Sequence, residues 1–132
     1  VSEGRGIMRV GSGACESTFS FGSRFGEEKG SNPDEMLGMA AAGCFSMSLA
    51  KQLGEAGYEP RSIHTRAAVS VDKGEEGFTI SSISLKTDVD VPAIHEETLR
   101  QCVEAAKECP VAQALAGTRI DVDAHLLSPV QD

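Results

Sequence analysis

Basic residues and long uncharged stretches are both scarce in this sequence. It has 12 Lys and Arg against 20 Asp and Glu, which gives a formal net charge of −8 at pH 7. Phosphate binding needs clustered Lys and Arg, so this balance argues against nucleic acid and anionic membranes as partners. The longest uncharged stretch, residues 36–50, is shorter than the roughly 18–20 residues of a membrane span. It predicts a helix that is covered on every side in a soluble protein.

Cysteines are also few, and their spacing is irregular. The sequence has 4 of them in 132 residues, which is too few for a disulfide-rich secreted scaffold. The chain opens with Val-Ser-Glu-Gly rather than with the basic and then apolar segment of a secretory signal. We therefore expect a cytoplasmic protein, and its length predicts one domain over residues 1–132.

Metal-binding motifs are absent from the sequence as well. It contains neither Cys-x₂-Cys nor His-x₃-His, and His64, His95 and His125 fall in different predicted elements. The glycine-containing segments lack the spacing of a dinucleotide-binding loop or a phosphate-binding loop, so we interpret them as turns. We expect neither a metal ion nor a bound organic cofactor.

The apolar periodicity predicts the element order ββ-α-ββ-αα-β. Alternating patterns indicate strands, three- and four-residue spacing indicates helices, and Asn32-Pro33 is typical of a helix start. The predicted elements are strands at 4–10 and 14–21, a helix from 33 to about 54, strands at 62–73 and 78–91, helices at 94–108 and 110–115, and a strand at 119–126. This order predicts an α+β domain in which helices pack on an antiparallel sheet.

Two cysteines are candidates for chemistry. Cys44 lies among small residues on the predicted central helix, where composition alone favours a core residue. A reactive Cys44 thiolate would need a nearby cation, for which Arg24 is the candidate. Cys109 precedes Pro110 at a helix start, which can lower the pKa of a thiol and make it reachable. Cys102 is interpreted as a core residue and Cys15 as structural or incidental.

Three segments together resemble the OsmC/Ohr family, and more closely its OsmC branch. They are RFGEEKGSNPDEMLG at residues 24–38, AGCFSM at 42–47 and ECPV at 108–111. The resemblance implies an α+β fold with a long buried central helix, formed as an intertwined homodimer with thiol sites at the subunit interface. It further implies a thiol-dependent hydroperoxide reductase.

The resemblance also implies roles for individual residues. By motif position, Cys44 corresponds to the cysteine that attacks the peroxide and Cys109 to the one that resolves it. Arg24 corresponds to the arginine that lowers the pKa of the attacking thiol and orients the peroxide. Asp34 stands where the family usually has a glutamate that pairs with this arginine. The shorter carboxylate leaves two alternatives open, pairing by Asp34 or by Glu35.

Helix geometry constrains this arrangement. Asp34 and Cys44 are ten residues apart, which is about 15 Å along a helix at ~1.5 Å per residue. In one straight helix a single arginine could not bridge them. Unless the helix kinks at Gly38 or Gly43, we therefore expect the carboxylate to come from the other subunit, in a site shared between two chains.

The resemblance implies organic and fatty-acid hydroperoxides as substrates, with hydrogen peroxide as the alternative. It implies a lipoyl-type dithiol as the external reductant and needs no metal or flavin. The alternative function is a non-catalytic ligand-binding or stress-structural module on the same fold. A Cys-His hydrolase is a third interpretation, disfavoured by the apolar surroundings of Cys44.

Overall fold

The structure is a computed structural model and describes residues 4–26 and 29–127. Its elements are β1 (Gly6–Arg9), β2 (Glu16–Phe19), α1 (Phe21–Phe25), α2 (Pro33–Glu55), β3 (Ser62–Gly74), β4 (Gly77–Asp90), α3 (Glu96–Ala106), α4 (Pro110–Ala114) and β5 (Arg119–Leu126). The predicted α+β class and element order are confirmed, with α1 as an addition. The chain divides into two compact units, Val1–Leu37 and Gly38–Asp132, and their forming one domain stays a prediction.

In the first unit, β1 and β2 form the predicted antiparallel hairpin. Its turn is closed by a 2.9 Å hydrogen bond from the Gly13 N–H to the Val10 carbonyl, and Gly13 has a φ of +79°. Glycine adopts such an angle without the steric penalty of a side chain. Helix α1 follows immediately, because Ser20 and Ser23 form a reciprocal capping box at its start. The glycine and charge content of this segment concealed that signal.

Helix α2 starts and ends where its capping residues dictate. The Asn32 side-chain oxygen accepts a 2.7 Å hydrogen bond from the Glu35 N–H, as expected for a cap followed by Pro33. At the other end, Tyr58 and Gly57 donate to the carbonyls of Leu53 and Gly54. With a φ of +90° at Gly57, these two bonds form a Schellman motif. No helix in the described ranges is long and apolar enough to cross a membrane.

The second unit contains a three-stranded sheet of order β3-β4-β5. Strands β3 and β4 form the predicted antiparallel hairpin, closed by the facing pair Gly74 and Gly77. Strand β5 instead runs parallel to β4, so the expectation of an antiparallel sheet is wrong for this pair. The two helices between β4 and β5 supply the long crossover that a parallel pair requires.

The core of the second unit lies between one face of α2, the sheet and α3. On α2 the buried residues recur every four positions, and on β4 every two, as the helical and strand periods require. The buried apolar residues of these elements are Ala41, Ala42, Phe45, Leu49 and Leu53 on α2, Ile83, Leu85 and Val89 on β4, and Leu99, Cys102, Val103 and Ala106 on α3. The apolar face predicted for α3 is therefore confirmed.

The opposite face of α2 is exposed among the residues that the structure describes. Met39 and Met47 are 55% and 76% exposed, and Ala40 and Gly43 between them are exposed too. The expectation of a helix covered on every side is therefore wrong for the single chain. We call these four exposed residues, Met39, Ala40, Gly43 and Met47, the Met39–Met47 strip. The sequence pattern indicated that this face is apolar but did not indicate what covers it.

Gly38 brings α2 close to β3. A Cβ atom at this position would lie 2.8 Å from Val69 Cγ2 and 3.3 Å from Ala67 Cβ. Separations below 3 Å are strongly repulsive, so the helix rests on the strand at a distance that only a glycine permits.

Replacing Gly38 by alanine should lower the free energy of unfolding by about 1–3 kcal/mol, because the added methyl group overpacks the contact with Val69. Gly54→Ala on the same helix is the matched control, since a Cβ at Gly54 meets nothing within 4 Å. The control should be neutral or stabilising by up to about 1 kcal/mol through helix propensity. Urea unfolding followed by circular dichroism measures both, and equal effects would contradict the close-contact interpretation.

Candidate active site

Cys44 lies in the middle of α2, at the margin of its buried face. Its helix neighbours Ala41 and Phe45 are almost fully buried. Cys44 itself is partly exposed. Exposed Gly43 directly precedes it. The small residues of this stretch therefore leave the sulfur accessible while the helix is held in the core.

Cys109 is the N-cap residue of α4 and has an extended backbone. Pro110 at the first helical position favours that extended conformation, because the proline ring disfavours a helical residue before it. Cys109 is 5% exposed, and Cys44 lies close enough to raise the pKa of its thiol. The structure thus brings together the two cysteines that the sequence singled out.

The pKa of the Cys109 thiol is raised above its usual value of 9.0. Burial is the largest cause, and the nearby Cys44 adds to it, while the backbone N–H groups of Ala112 and Val111 act in the opposite direction. The expectation that the helix start would lower this pKa is therefore wrong, because desolvation outweighs the N–H groups. At neutral pH Cys109 remains a neutral thiol.

A small apolar cavity of about 40 Å³ adjoins Cys109. It is lined by Ala41, Phe45, Leu85, Lys107, Cys109, Ala112, Ile120 and Val122. Apart from the Lys107 side chain and the thiol, the lining is hydrocarbon. The surroundings of Cys109 therefore suit an apolar group better than an ion.

In the first unit, Arg24 and Asp34 form a two-pronged ion pair. The Nε and Nη2 atoms of Arg24 donate to the two carboxylate oxygens of Asp34 at 2.9 and 3.0 Å. Asp34 is buried and the Arg24 side chain is about one-third exposed. Arg24 also lies 5.0 Å from the centre of the Phe25 ring. Such bidentate geometry fixes the plane of the guanidinium group.

This pair decides which carboxylate binds Arg24, because Asp34 pairs with Arg24 of its own chain. Glu35 does not replace it, because its carboxylate accepts a 2.8 Å hydrogen bond from the Ser31 hydroxyl instead. That this pair and the Cys44 thiol of another chain form one shared site stays a prediction. The short helix α1, which carries Arg24, was not predicted.

The other two cysteines occupy different surroundings. Cys102 is buried on α3, and that burial raises the pKa of its thiol, which agrees with the prediction of a core residue. Cys15 is partly exposed and lies just before β2. All four cysteines are free thiols. Across residues 4–26 and 29–127, no group of three or more His, Cys, Asp and Glu side chains could hold a metal ion.

A chain of hydroxyl groups near Cys44 was not predicted from the sequence. The Ser46 and Thr65 hydroxyl oxygens are 2.7 Å apart, and the Thr65 hydroxyl donates to that of Thr87 at 2.9 Å. These residues lie on α2, β3 and β4 respectively. A signal for them exists in the sequence, because Thr65 and Thr87 stand at positions of the strand pattern otherwise occupied by Ile63, Ala67, Leu85 and Val89.

Comparisons with known proteins give concordant results. The family described as OsmC-like protein matches residues 26–124. Peroxiredoxin OsmC of Escherichia coli (strain K12) is 44% identical over 130 residues, which cover 97% of this chain and 90% of that protein. The protein of the same name from Shigella flexneri gives the same values. An OsmC-like protein of unknown function from Vibrio cholerae has a solved structure with a TM-score of 0.76 at 14% identity, covering 92% of this chain and 84% of that chain.

Asp34→Asn should destabilise the protein by about 1–3 kcal/mol, because it removes the charge from a buried acceptor of two hydrogen bonds. Glu16→Gln is the matched control, since it weakens the exposed pair that Glu16 forms with Arg9 and should cost less than about 1 kcal/mol. Thermal unfolding by circular dichroism compares the two. Losses of the same size would show that burial does not strengthen the Arg24–Asp34 pair.

Proposed function

The chain belongs to the OsmC-like family, and on that premise we propose that Cys44 attacks the peroxide and that Cys109 resolves the oxidised product. The protein is a thiol-dependent peroxidase of the OsmC branch. The non-catalytic module and the hydrolase are accordingly set aside. The observation that carries the residue assignment is the proximity of Cys44 to the Cys109 thiol.

This proximity supports an intramolecular disulfide as the resolved form. A disulfide needs its two Cα atoms within about 4.4–6.8 Å and properly directed Cβ atoms. Two cysteines so close that one raises the pKa of the other can meet this need with small movements. Cys44 is the better attacking group because it is partly exposed, whereas Cys109 is buried. Cys109 is therefore suited to the second step, which takes place inside the protein.

In the first step the Cys44 thiolate attacks one oxygen of the hydroperoxide. The sulfur–oxygen bond forms as the oxygen–oxygen bond breaks, and the leaving alkoxide takes a proton to become an alcohol. Sulfur is oxidised by two electrons and the peroxide is reduced by two. Cys44 is left as a sulfenic acid.

In the second step the Cys109 sulfur attacks the sulfur of the Cys44 sulfenic acid. The disulfide forms, the sulfur–oxygen bond breaks, and the hydroxyl group leaves as water. Burial raises the pKa of the Cys109 thiol, and the backbone N–H groups of Ala112 and Val111 act in the opposite direction. These N–H groups favour the ionised sulfur in this step.

We assign organic hydroperoxides as the substrates and an external lipoyl-type dithiol as the reductant. The apolar cavity beside Cys109 supports an apolar substituent on the peroxide. A dithiol returns the disulfide to two thiols by exchange and is itself oxidised to a disulfide, so that no bound cofactor takes part. Such a cycle suits a cytoplasmic location, where reductants keep thiols reduced.

Arg24 is assigned as the cation that favours the Cys44 thiolate and orients the peroxide. Asp34 uses one N–H on Nε and one on Nη2. A guanidinium group has five N–H donors, so three remain for other acceptors. Held in plane by Asp34, these donors can serve an anionic sulfur or a peroxide oxygen. That Arg24 serves the thiol of another chain stays a prediction.

Cys44→Ser should abolish dithiol-dependent peroxide turnover, because the serine hydroxyl cannot replace the thiolate as nucleophile. Cys109→Ser should consume about one equivalent of peroxide and then accumulate sulfenic and higher acids at Cys44. Cys15→Ser is the control and should turn over like the native protein. Peroxide assays and mass spectrometry supply the readouts. Full turnover by Cys44→Ser would overturn the assignment, and a disulfide to Cys102 in Cys109→Ser would show that Cys109 is not the required partner.

We also propose that the protein acts as a homodimer joined through α2. The Met39–Met47 strip supports this, because an exposed apolar patch marks a surface that another partner covers. Exposed Ala40 and Gly43 lie between the two methionines, so a second helix could approach the backbone closely. In a twofold dimer each subunit uses the same surface patch, so the Met39–Met47 strip of one subunit would pack against the same strip of the other.

Met47→Glu should convert the dimer to monomers, because each interface would then bury two carboxylates without partners. Gln101→Glu adds the same charge at an exposed position of α3 and should leave the dimer intact. Sedimentation velocity over a dilution series measures both. A native protein that is monomeric at micromolar concentration would contradict the dimer, and full peroxidase activity in the monomer would contradict a site shared between chains.

A further inference from the structure

The hydroxyl chain of Ser46, Thr65 and Thr87 ties α2 to two strands of the sheet. The oxygen–oxygen distances along it are 2.7 and 2.9 Å. Thr65 and Thr87 face each other in the register of β3 and β4. The hydroxyl chain therefore runs from β4 to β3 between two facing residues and contacts α2 at a single residue, Ser46.

That residue belongs to the helical turn that carries Cys44. The Ser46 hydroxyl oxygen also lies 2.8 Å from the Ala42 carbonyl oxygen. Because Thr65 donates its proton to Thr87, the single Ser46 proton is shared between Thr65 and the Ala42 carbonyl. Cys44 lies midway between Ala42 and Ser46 in this turn. A displacement of Ser46 along or around the helix axis would carry the Cys44 sulfur with it.

Because the hydroxyl chain is buried, its hydrogen bonds favour one position of α2 on the sheet. Thr87 is 1% exposed and lies in the apolar row of β4 between Leu85 and Val89. A buried hydroxyl is unfavourable unless it is hydrogen-bonded. Apolar contacts tolerate sliding, whereas hydrogen bonds weaken steeply with distance and angle. The helix consequently has one preferred position on the sheet.

The same sheet also holds the surroundings of Cys109. The cavity adjoining Cys109 is lined by Leu85 of β4 and by Ile120 and Val122 of β5. Leu85 stands two residues before Thr87 on the same strand. Strand β4 thus helps to position both cysteines. It holds the turn of Cys44 through the hydroxyl chain and the surroundings of Cys109 through apolar packing.

We propose that Ser46, Thr65 and Thr87 are positioning residues that hold the Cys44 sulfur within reach of Cys109. The proposal rests on the roles assigned to these two cysteines. Its consequence concerns the sulfenic acid, which has two fates. Cys109 can attack it to give the disulfide and water. Alternatively, the ionised sulfenic acid attacks a second hydroperoxide, forming another sulfur–oxygen bond and releasing an alcohol, which leaves a sulfinic acid.

Thr87→Val tests the proposal, because it removes the hydroxyl while keeping the shape of the side chain. The ratio of sulfinic acid to disulfide at Cys44, measured by mass spectrometry after a single addition of peroxide, should rise about tenfold, as slight misplacement of reacting groups slows their reaction. Thr87→Ser restores the hydroxyl and should return the ratio towards the native value. Ser46→Ala breaks the hydroxyl chain from the helix side and should also raise the ratio. It provides the test if Thr87→Val does not fold.

Two controls separate positioning from general stability. Thr79→Val removes an exposed hydroxyl from β4, and Ile83→Val weakens the core on that strand without touching the hydroxyl chain. Both should keep the native ratio. Because unfolded molecules also raise the ratio, Ile83→Val measures the effect of a general loss of stability. A native ratio in Thr87→Val and Ser46→Ala, or an equal rise in Ile83→Val, would overturn the proposal. Neither result affects the assignment of Cys44, which instead fails if Cys44→Ser retains turnover.

Discussion

The contact between α2 and the sheet is the constraint on which the cysteine pair depends. Gly38 admits the helix to within van der Waals distance of Val69 on β3, and the hydroxyl of Ser46 fixes it again eight residues later. These two positions lie on one face of the helix, since residues four and eight apart share a side. With that face held, Cys44 falls at the margin of the core, where the start of α4 delivers Cys109. A helix seated slightly further from the strand would leave two isolated thiols.

Burial gives the two sulfurs different environments. Cys109 has the backbone N–H groups of a helix start nearby, an environment that elsewhere activates thiols. Desolvation is nevertheless the largest influence and raises its pKa. The result is a buried thiol that stays protonated, beside a partly exposed one. This difference is what makes Cys44 the better candidate for the attacking group and Cys109 for the resolving one, as we propose.

Sequence periodicity predicted the elements whose burial is one-sided and regular. The bounds of β5 and the buried face of α3 follow from alternation and from three- and four-residue spacing, which report local geometry. The parallel pairing of β4 with β5 was not predictable in this way, since a strand pattern does not identify its neighbour. Helix α1, which carries Arg24, was also missed, because it depends on the capping serines at Ser20 and Ser23. The pairing of Cys44 with Cys109 came from the family motif rather than from spacing.

Helix α2 shows that an apolar sequence pattern can be read correctly without identifying what covers the apolar surface. Its sequence lacks a polar face over residues 36–50, and this predicted coverage on all sides. One side is covered by the sheet and α3, while Met39 and Met47 remain exposed on the other. Exposed apolar surface of this kind is unfavourable in water, and no polar residue of the strip offsets it. The sequence therefore encodes the environment of the assembled protein, and the homodimer we propose is the assembly in which the same helix can satisfy both of its faces.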